Sequence, residues 1–420
     1  MPTDKTDSTT HATSATPTQA PAPAPIASKS YYAFFVVYMA MLSAFGSFVN
    51  DMYLPTLPAM MKAFHTSVTT TELGLTFGMI GLGAGEFFFG PATDKYGRKP
   101  IMVGALILFC IAAAVSTFSP TIYFFLWCRL VQGLGASAGY FLARTMPADL
   151  YAGRQLAKVM ALVGAINGFA PATAPVIGGL VSRSIGWRGI FWILFAFCCA
   201  LLAASFHLRE TLPKSRRSQR SLLSTFGNYL ILCRSRRFII HVFLKGSALG
   251  VLFAYISAAP FIIQTHYGFS ALDFGLFMGF NSLFVVTGSM VALRFPSLRR
   301  AAYAGAWILL GACLLQSAQL FLFDSVWVFE GCMLPMLFAL GILFTAGNTL
   351  AMNDGRAYAG GASAIVGLVG YAFGAGASPL VGLGDIMHST AYVFIVLAAI
   401  TLVFAILSRR LPAETQTEHL

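Results

Sequence analysis

Three ionisable residues stand inside long apolar runs of this 420-residue chain: Asp51, Glu86 and Arg129. A charge in hydrocarbon is costly, so each needs a partner, an escape to the interface, or a function. Asp51 lies in Asn50-Asp51-Met52-Tyr53-Leu54-Pro55-Thr56-Leu57-Pro58, toward the outer end of the first run. It is either solvated at the interface or turned to a central cavity, where taking up and losing a proton is a usable switch. Arg129 sits too deep in the fourth run for its head to reach water easily. A permanent cation there either ties helices together or holds a nearby carboxylate ionised until a proton or substrate competes. Glu86 pairs with a cation, stays protonated, or serves as a second proton site; pairing and protonation together are favoured. Arg144 and Lys245 lie near run ends, where long stems let the charge snorkel outward.

These residues are positioned by the runs that carry them. The sequence is 57% hydrophobic and 10% charged, far from a soluble domain. Because a helix rises about 1.5 Å per residue, a bilayer core of about 30 Å needs roughly 20 apolar residues. Runs of that length start near residues 31, 72, 100, 121, 158, 188, 238, 271, 301, 326, 358 and 389, which predicts an all-α membrane protein with twelve transmembrane helices. Residues 1–30, rich in Thr, Ser, Pro and Ala, read as a disordered tail with no secretory leader, and 411–420 as a second tail.

The net charge of +12 does not point to nucleic acid, because the cations fall in loops between apolar runs. With the N-terminus inside, Lys95, Arg98, Lys99, Arg154, Lys158, Arg294, Arg299, Arg300, Arg356, Arg409, Arg410 and the group from Arg209 to Arg237 are all cytoplasmic. Only Lys62, Arg183 and Arg188 fall outside, so both termini are expected in the cytoplasm. The basic stretch 208–237, which includes Arg220, divides the runs six and six and reads as a solvated linker between bundles at 31–207 and 238–410. An offset of 202 residues pairs Tyr53 with Tyr255, Pro58 with Pro260 and Arg98 with Arg300, which suggests pseudo-symmetric halves with a ligand site between them. The seven cysteines show no metal-like spacing and read as small core residues.

One loop stands apart. In Gly90-Pro91-Ala92-Thr93-Asp94-Lys95-Tyr96-Gly97-Arg98-Lys99-Pro100, Gly90 and Pro91 are expected to let helices approach and to end one, and Gly97 to permit a turn. Asp94 is placed to pair with the neighbouring cations or cap another helix, latching the inner side closed. A cavity bounded by the first, fourth, seventh and eighth runs would draw on Tyr53, Tyr140, Tyr255, Gln264 and Asn281 for aromatic faces and hydrogen bonds to an uncharged ligand.

Residues Gly90 to Lys99 resemble the loop 2-3 motif of the major facilitator superfamily, and Arg129-x-x-Gln132-Gly133-x-Gly135 resembles its fourth-helix motif. Ala170-Pro171-Ala172-Thr173-Ala174-Pro175-Val176-Ile177-Gly178-Gly179 is similar to the fifth-helix antiporter motif, with Ala174 where Gly is commonest. Asp51-Met52-Tyr53-Leu54-Pro55 with Leu57-Pro58, then Phe253 to Phe261 continuing to Gln264, and Gly360 to Ala364, resemble the bicyclomycin and chloramphenicol resistance branch of the twelve-span drug:proton antiporters. The likeness runs from about residue 31 to 408.

That resemblance implies two six-helix bundles and proton-driven efflux of small, mostly apolar antibacterial compounds across the bacterial inner membrane. Asp51 and Arg129 then stand in the coupling positions, with Pro171, Pro175, Gly178 and Gly179 in the antiporter motif and Gly90, Asp94, Gly97 and Arg98 in the gating motif. No cofactor or metal is implied; the partners are the drug, protons and membrane lipid, with no nucleic acid, and a monomer is expected. The chain departs at Glu86, where relatives usually carry Gln, and at Ser43, where some multidrug relatives carry an acid, so cation export is less expected. Export of an amino acid, sugar or siderophore is the alternative. An enzyme is disfavoured because His241, His266 and His388 are scattered, and a channel because nothing resembles a carbonyl filter.

Overall fold

The computed structural model describes residues 28–217 and 222–412. The two expected tails thus fall almost wholly outside the described residues, as does Arg220. The described chain is helical throughout, without a strand. In chain order the helices are α1 (Lys29–Asp51), α2 (Leu57–Ala63), α3 (Val68–Tyr96), α4 (Arg98–Thr117), α5 (Ile122–Leu150), α6 (Gly153–Ser205) and α7 (Leu222–Arg234). They continue as α8 (Arg236–Phe261), α9 (Ala271–Ala292), α10 (Leu298–Leu322), α11 (Val326–Asp354), α12 (Ala359–Leu380) and α13 (Ile386–Arg410).

Short polar side chains start most of them by accepting the backbone N–H groups that a helix N-terminus leaves unpaired. Ser67, Thr121, Ser235 and Ser297 do so for α3, α5, α8 and α10. Ser270 and Asp273 form a reciprocal box at α9, and Asp385 accepts from Met387 and His388 at α13. At 53 residues α6 would measure about 80 Å, far more than a bilayer core of about 30 Å. The break is Gly186, with φ 64°, so α6 supplies two crossings and the number of crossings is twelve. Ten helical stretches among the described residues are long and apolar enough to span. Helix α5, which carries Arg129, Arg144 and Asp149, is not among them.

Two features depart from the sequence reading. Stretch 208–237 is more than a solvated linker, since α7 forms within it. Tyr229 and Leu232 of α7 are buried against Phe238, Ala362 and Ile365, while its Cys233 is exposed and so is no core cysteine. Helix α3 also does not end at Pro91 but runs to Tyr96, where Gly97 at φ 105° turns the chain. Proline cannot donate to the carbonyl four residues back. The freed Phe87 carbonyl instead accepts the Tyr229 hydroxyl at 3.4 Å, and the helix survives the proline.

Within the first half, α3 and α5 pack closest, through glycine. A Cβ on Gly81 would overlap the Leu130 carbonyl, and one on Gly133 would overlap the Gly78 carbonyl. Across the halves, α3 packs on α12 and α6 on α9. There Gly179 is pressed on the Ala271 carbonyl and a Cβ on Gly275 would sit 2.6 Å from the Pro175 carbonyl, while Gly178 is pressed on the Met52 carbonyl within the first half. Gly81→Val should therefore cost about 1–3 kcal/mol through overpacking. Its melting temperature in detergent should fall, whereas Gly104→Ala, whose added carbon meets open space, should leave it unchanged or raised. Equal melting for both variants would contradict the packing described.

Candidate functional site

Arg129 is 1% exposed, and the close α3–α5 packing decides what its guanidinium meets. Nε donates to the Gly74 carbonyl of α3 at 3.3 Å, and Nη1 to the Val49 carbonyl of α1 at 3.2 Å and to Gln132 Oε1 at 2.9 Å. Gln132 Nε2 passes the network on to Ser116 Oγ at 3.0 Å and the Ala112 carbonyl at 3.3 Å on α4. The Tyr53 ring covers the guanidinium at 4.3 Å from its centroid. Among the described residues Arg129 forms no ion pair. Gly78 leaves the room the group occupies, since a Cβ there would lie 2.9 Å from Nη2.

Asp51 ends α1, is 8% exposed, and accepts one hydrogen bond, from Asn50 Nδ2 at 3.1 Å. Glu86, on the face of α3 that meets α12, is pressed on Gly367. Arg144 and Lys245 are the cations whose charge reaches it, yet neither forms an ion pair with it. Arg144 lies 5.9 Å from the Tyr140 ring centroid and Lys245 Nζ donates to Asn348 Oδ1 at 2.8 Å.

The five candidate ligand residues are not gathered into one set. Tyr53 is fully buried between Arg129 and Phe191, 5.9 Å between ring centroids. The Tyr140 hydroxyl meets Ser47 Oγ at 2.7 Å. Asn281 Nδ2 donates to the Tyr255 hydroxyl and to Glu330 Oε2, each at 2.7 Å. Gln264 Nε2 donates to the Pro55 carbonyl across the two halves at 3.0 Å. Two large concavities lie elsewhere. One of about 650 Å³ is walled by α8, α12 and α13, and one of about 540 Å³ by α9 and α11.

The Gly90–Pro100 segment, the end of α3 and the start of α4, is braced by charged side chains. Arg98 donates through Nη1 to Asp94 Oδ1 at 2.6 Å and Thr93 Oγ1 at 2.8 Å, and through Nε to Asp149 Oδ2 at 3.0 Å on α5. The N-terminus of α4 is capped not by Asp94 but by Glu210, which accepts from Arg98 N at 3.0 Å and Lys99 N at 3.3 Å. Gly97 is required twice, for its positive φ and because a Cβ would lie 2.5 Å from Glu210 Oε2. A smaller cleft, of about 250 Å³, separates Gly90, Pro91 and Asp94 from Tyr358 to Gly361 of the second half. At the same end of that half, His241, buried completely, joins Asp354 Oδ2 at 2.6 Å to Ser408 Oγ at 2.8 Å.

Sequence reasoning missed Glu72, Asp149, Glu210, His241 and Glu330. Glu72 looked terminal because its apolar run begins there, whereas capped α3 starts at Val68 and carries it inside. Glu330 lies likewise one turn inside α11. His241 had no sequence signal, its partners being 113 and 167 residues away.

The fold is that of solved membrane transporters. The chain superposes on the xylose transporter XylE from E. coli, in a partially occluded inward-open conformation, with TM-score 0.72 at 13% identity, covering 93% of this chain and all of that one. A bacterial homologue of the lysosomal transporter Spinster, inward-facing and occupied, gives 0.72 at 16%, covering 91% and 98%. The chain belongs to the major facilitator superfamily, whose sequence profile matches residues 39–379. It is 32% identical to an uncharacterized MFS-type transporter, YdgK, of Bacillus subtilis, covering 83% of this chain and 88% of that one. Identity is 29%, over the same shares, to a bicyclomycin resistance protein homolog of Haemophilus influenzae. It is 28% to a chloramphenicol resistance protein of Pseudomonas aeruginosa, covering 73% of each.

Arg129 serves acceptors on three helices with a planar fork that an ammonium cannot reproduce. Arg129→Lys should lower the melting temperature by at least about 3 °C, from hydrogen bonds to a charged group worth about 1.5–3 kcal/mol each. Unaltered stability would mean the bonds to Gly74 and Val49 contribute little.

Proposed function

We propose that this chain exports small, mostly apolar antibacterial compounds of the amphenicol or bicyclomycin type across the bacterial inner membrane in exchange for protons. The observation that carries this reading is the similarity to the two relatives named for bicyclomycin and chloramphenicol resistance. The buried Asp51, one hydrogen bond from Asn50, supports a proton-exchanging role, and the α1 carbonyl held by Arg129 ties that cation to the same helix. The basic ends of the helices face the cytoplasm, as do both termini, and no cofactor takes part beyond the proton gradient.

In the proposed cycle, bundles 31–207 and 238–410 rock about the α3–α12 and α6–α9 seams, with 208–237 linking them. Asp51 loses its proton as substrate enters from the cytoplasm and regains one from outside. The protein acts as a monomer in lipid.

Purified protein in liposomes should move chloramphenicol or bicyclomycin when a pH gradient is imposed, and Asp51→Asn should slow that movement at least about tenfold. A gradient that drives nothing in the wild type, or Asp51→Asn with an unchanged rate, refutes the coupling assignment. Asp94→Asn releases the Arg98 brace beside the 250 Å³ cleft. It should lower maximal rate about fivefold with substrate affinity within about twofold. Weakened binding at full turnover would argue against a gating role.

A further inference from the structure

The acid buried most completely at the boundary between the halves is Glu72, one turn into α3 at the end away from the basic loops. It is 0% exposed, and neither Oε1 nor Oε2 has a hydrogen-bond partner. The face of α3 that carries it is the α12 seam. Thr76, four residues on, donates to the Ala375 carbonyl at 3.0 Å, and Thr69, three residues back, to the Gly382 carbonyl at 2.6 Å. The carboxylate packs on Gly382, where a Cβ would lie 2.9 Å from Oε2. Among the described residues Ser257 of α8 is the one polar side chain that approaches it, and its hydroxyl shares a 2.7 Å hydrogen bond with Ser378 Oγ in which either oxygen can donate. The Ser378 hydroxyl faces the backbone carbonyl of Glu72, not its side chain.

No neighbouring charge offsets this burial. On α5, Arg129 addresses Gly74 and Val49, and Gly74 is on the opposite face of α3 from Glu72. On α8, the Tyr255 hydroxyl is bonded to Asn281. On α2 and beyond it, Lys62 and His65 are exposed. Past α12, Asp385 caps α13. On α4, Lys99 is at the far end with the Phe206 and Leu208 carbonyls, and on α7 Tyr229 is beside Phe87. Among the described residues none pairs with Glu72.

We propose that Glu72 is a proton-binding site that latches the seam between α3 and α12: the seam closes on the carboxylic acid and opens on the carboxylate. An unpaired carboxylate has no stable place in a dry seam, whereas a neutral acid has. Opening brings water to the ionised form. The closed seam therefore binds the proton more tightly, and its population is full at low pH and lost as pH rises. Because Glu72 lies one turn from the α3 end away from the basic loops, opening the seam lets the proton enter and leave on that side. It conditions closure without adding to the protons carried across, and in this it goes beyond the coupling proposed for Asp51.

The test is a distance across the mouth. Spin labels on Phe118→Cys and Phe323→Cys, exposed at that end of opposite halves, report on purified protein in lipid nanodiscs with Cys199, Cys233 and Cys332 changed to Ala. Pulsed electron–electron resonance should show the short distance dominating at about pH 5.5, and the long one rising at least about fivefold at about pH 8.5. Glu72→Gln, or Glu72→Met should the glutamine variant not fold, should hold the short distance at both values, while Glu72→Asp keeps the response. A wild type indifferent to pH, or a neutral variant that responds as the wild type does, overturns the proposal. No substrate enters the measurement, so it stands or falls separately from the drug-export reading.

Discussion

A guanidinium shut inside a bundle that lies in hydrocarbon must find acceptors there, and the positions of Arg129's acceptors set much of the first half. Among the described residues no carboxylate pairs with it, so backbone carbonyls that helical geometry leaves with a spare lone pair serve instead. They lie on α1 and α3, which means three helices must hold register for the charge to be tolerated. Glycine makes that register possible. With Gly78 and Gly81 on α3 and Gly133 on α5, the backbones come close enough for one side chain to span them. Tyr53 then closes the group from the remaining side with a ring face, which is attracted to a cation without needing a donor.

The two ends of the molecule solve the polar problem differently. Toward the basic loops, polar groups find partners: Arg98 with Asp94 and Asp149, Glu210 with the α4 N-terminus, His241 between Asp354 and Ser408. None of these braces joins one half to the other, so the halves at that end are mutually unlinked by these contacts. Toward the other end the halves touch through small residues and carbonyls, at Gly179 and Gly275 and at Thr69 and Gly382. An acid left bare in such a seam, as Glu72 is, has no local compensation and makes closure sensitive to its charge.

The twelve crossings were legible because hydrocarbon thickness dictates a run length that few other folds imitate, and the starts were placed within about five residues. That Glu86 and Arg129 stand within apolar runs was legible for the same reason, since charge interrupts hydropathy visibly, whereas Asp51, near a run end, could be read as solvated or as turned to a cavity. The end of α3 was misread at Pro91 because a local rule for proline ignores a distant hydroxyl, here Tyr229, that relieves the freed carbonyl. Helix α7 was missed because eight cations in its stretch outweighed the two side chains that bury it.

The sequence by itself determined that this chain crosses a membrane repeatedly, which loops are basic, and which residues carry charge into the apolar phase, because each is a property of composition along one dimension. Tertiary structure alone decided what those charges meet. Arg129 takes carbonyls rather than Asp51, Glu210 rather than Asp94 caps α4, and Glu72 enters a seam with residues 306 and 310 positions away. Hydrogen bonds and desolvation act over a few ångströms of space. Which atoms come that close is settled only when the helices pack.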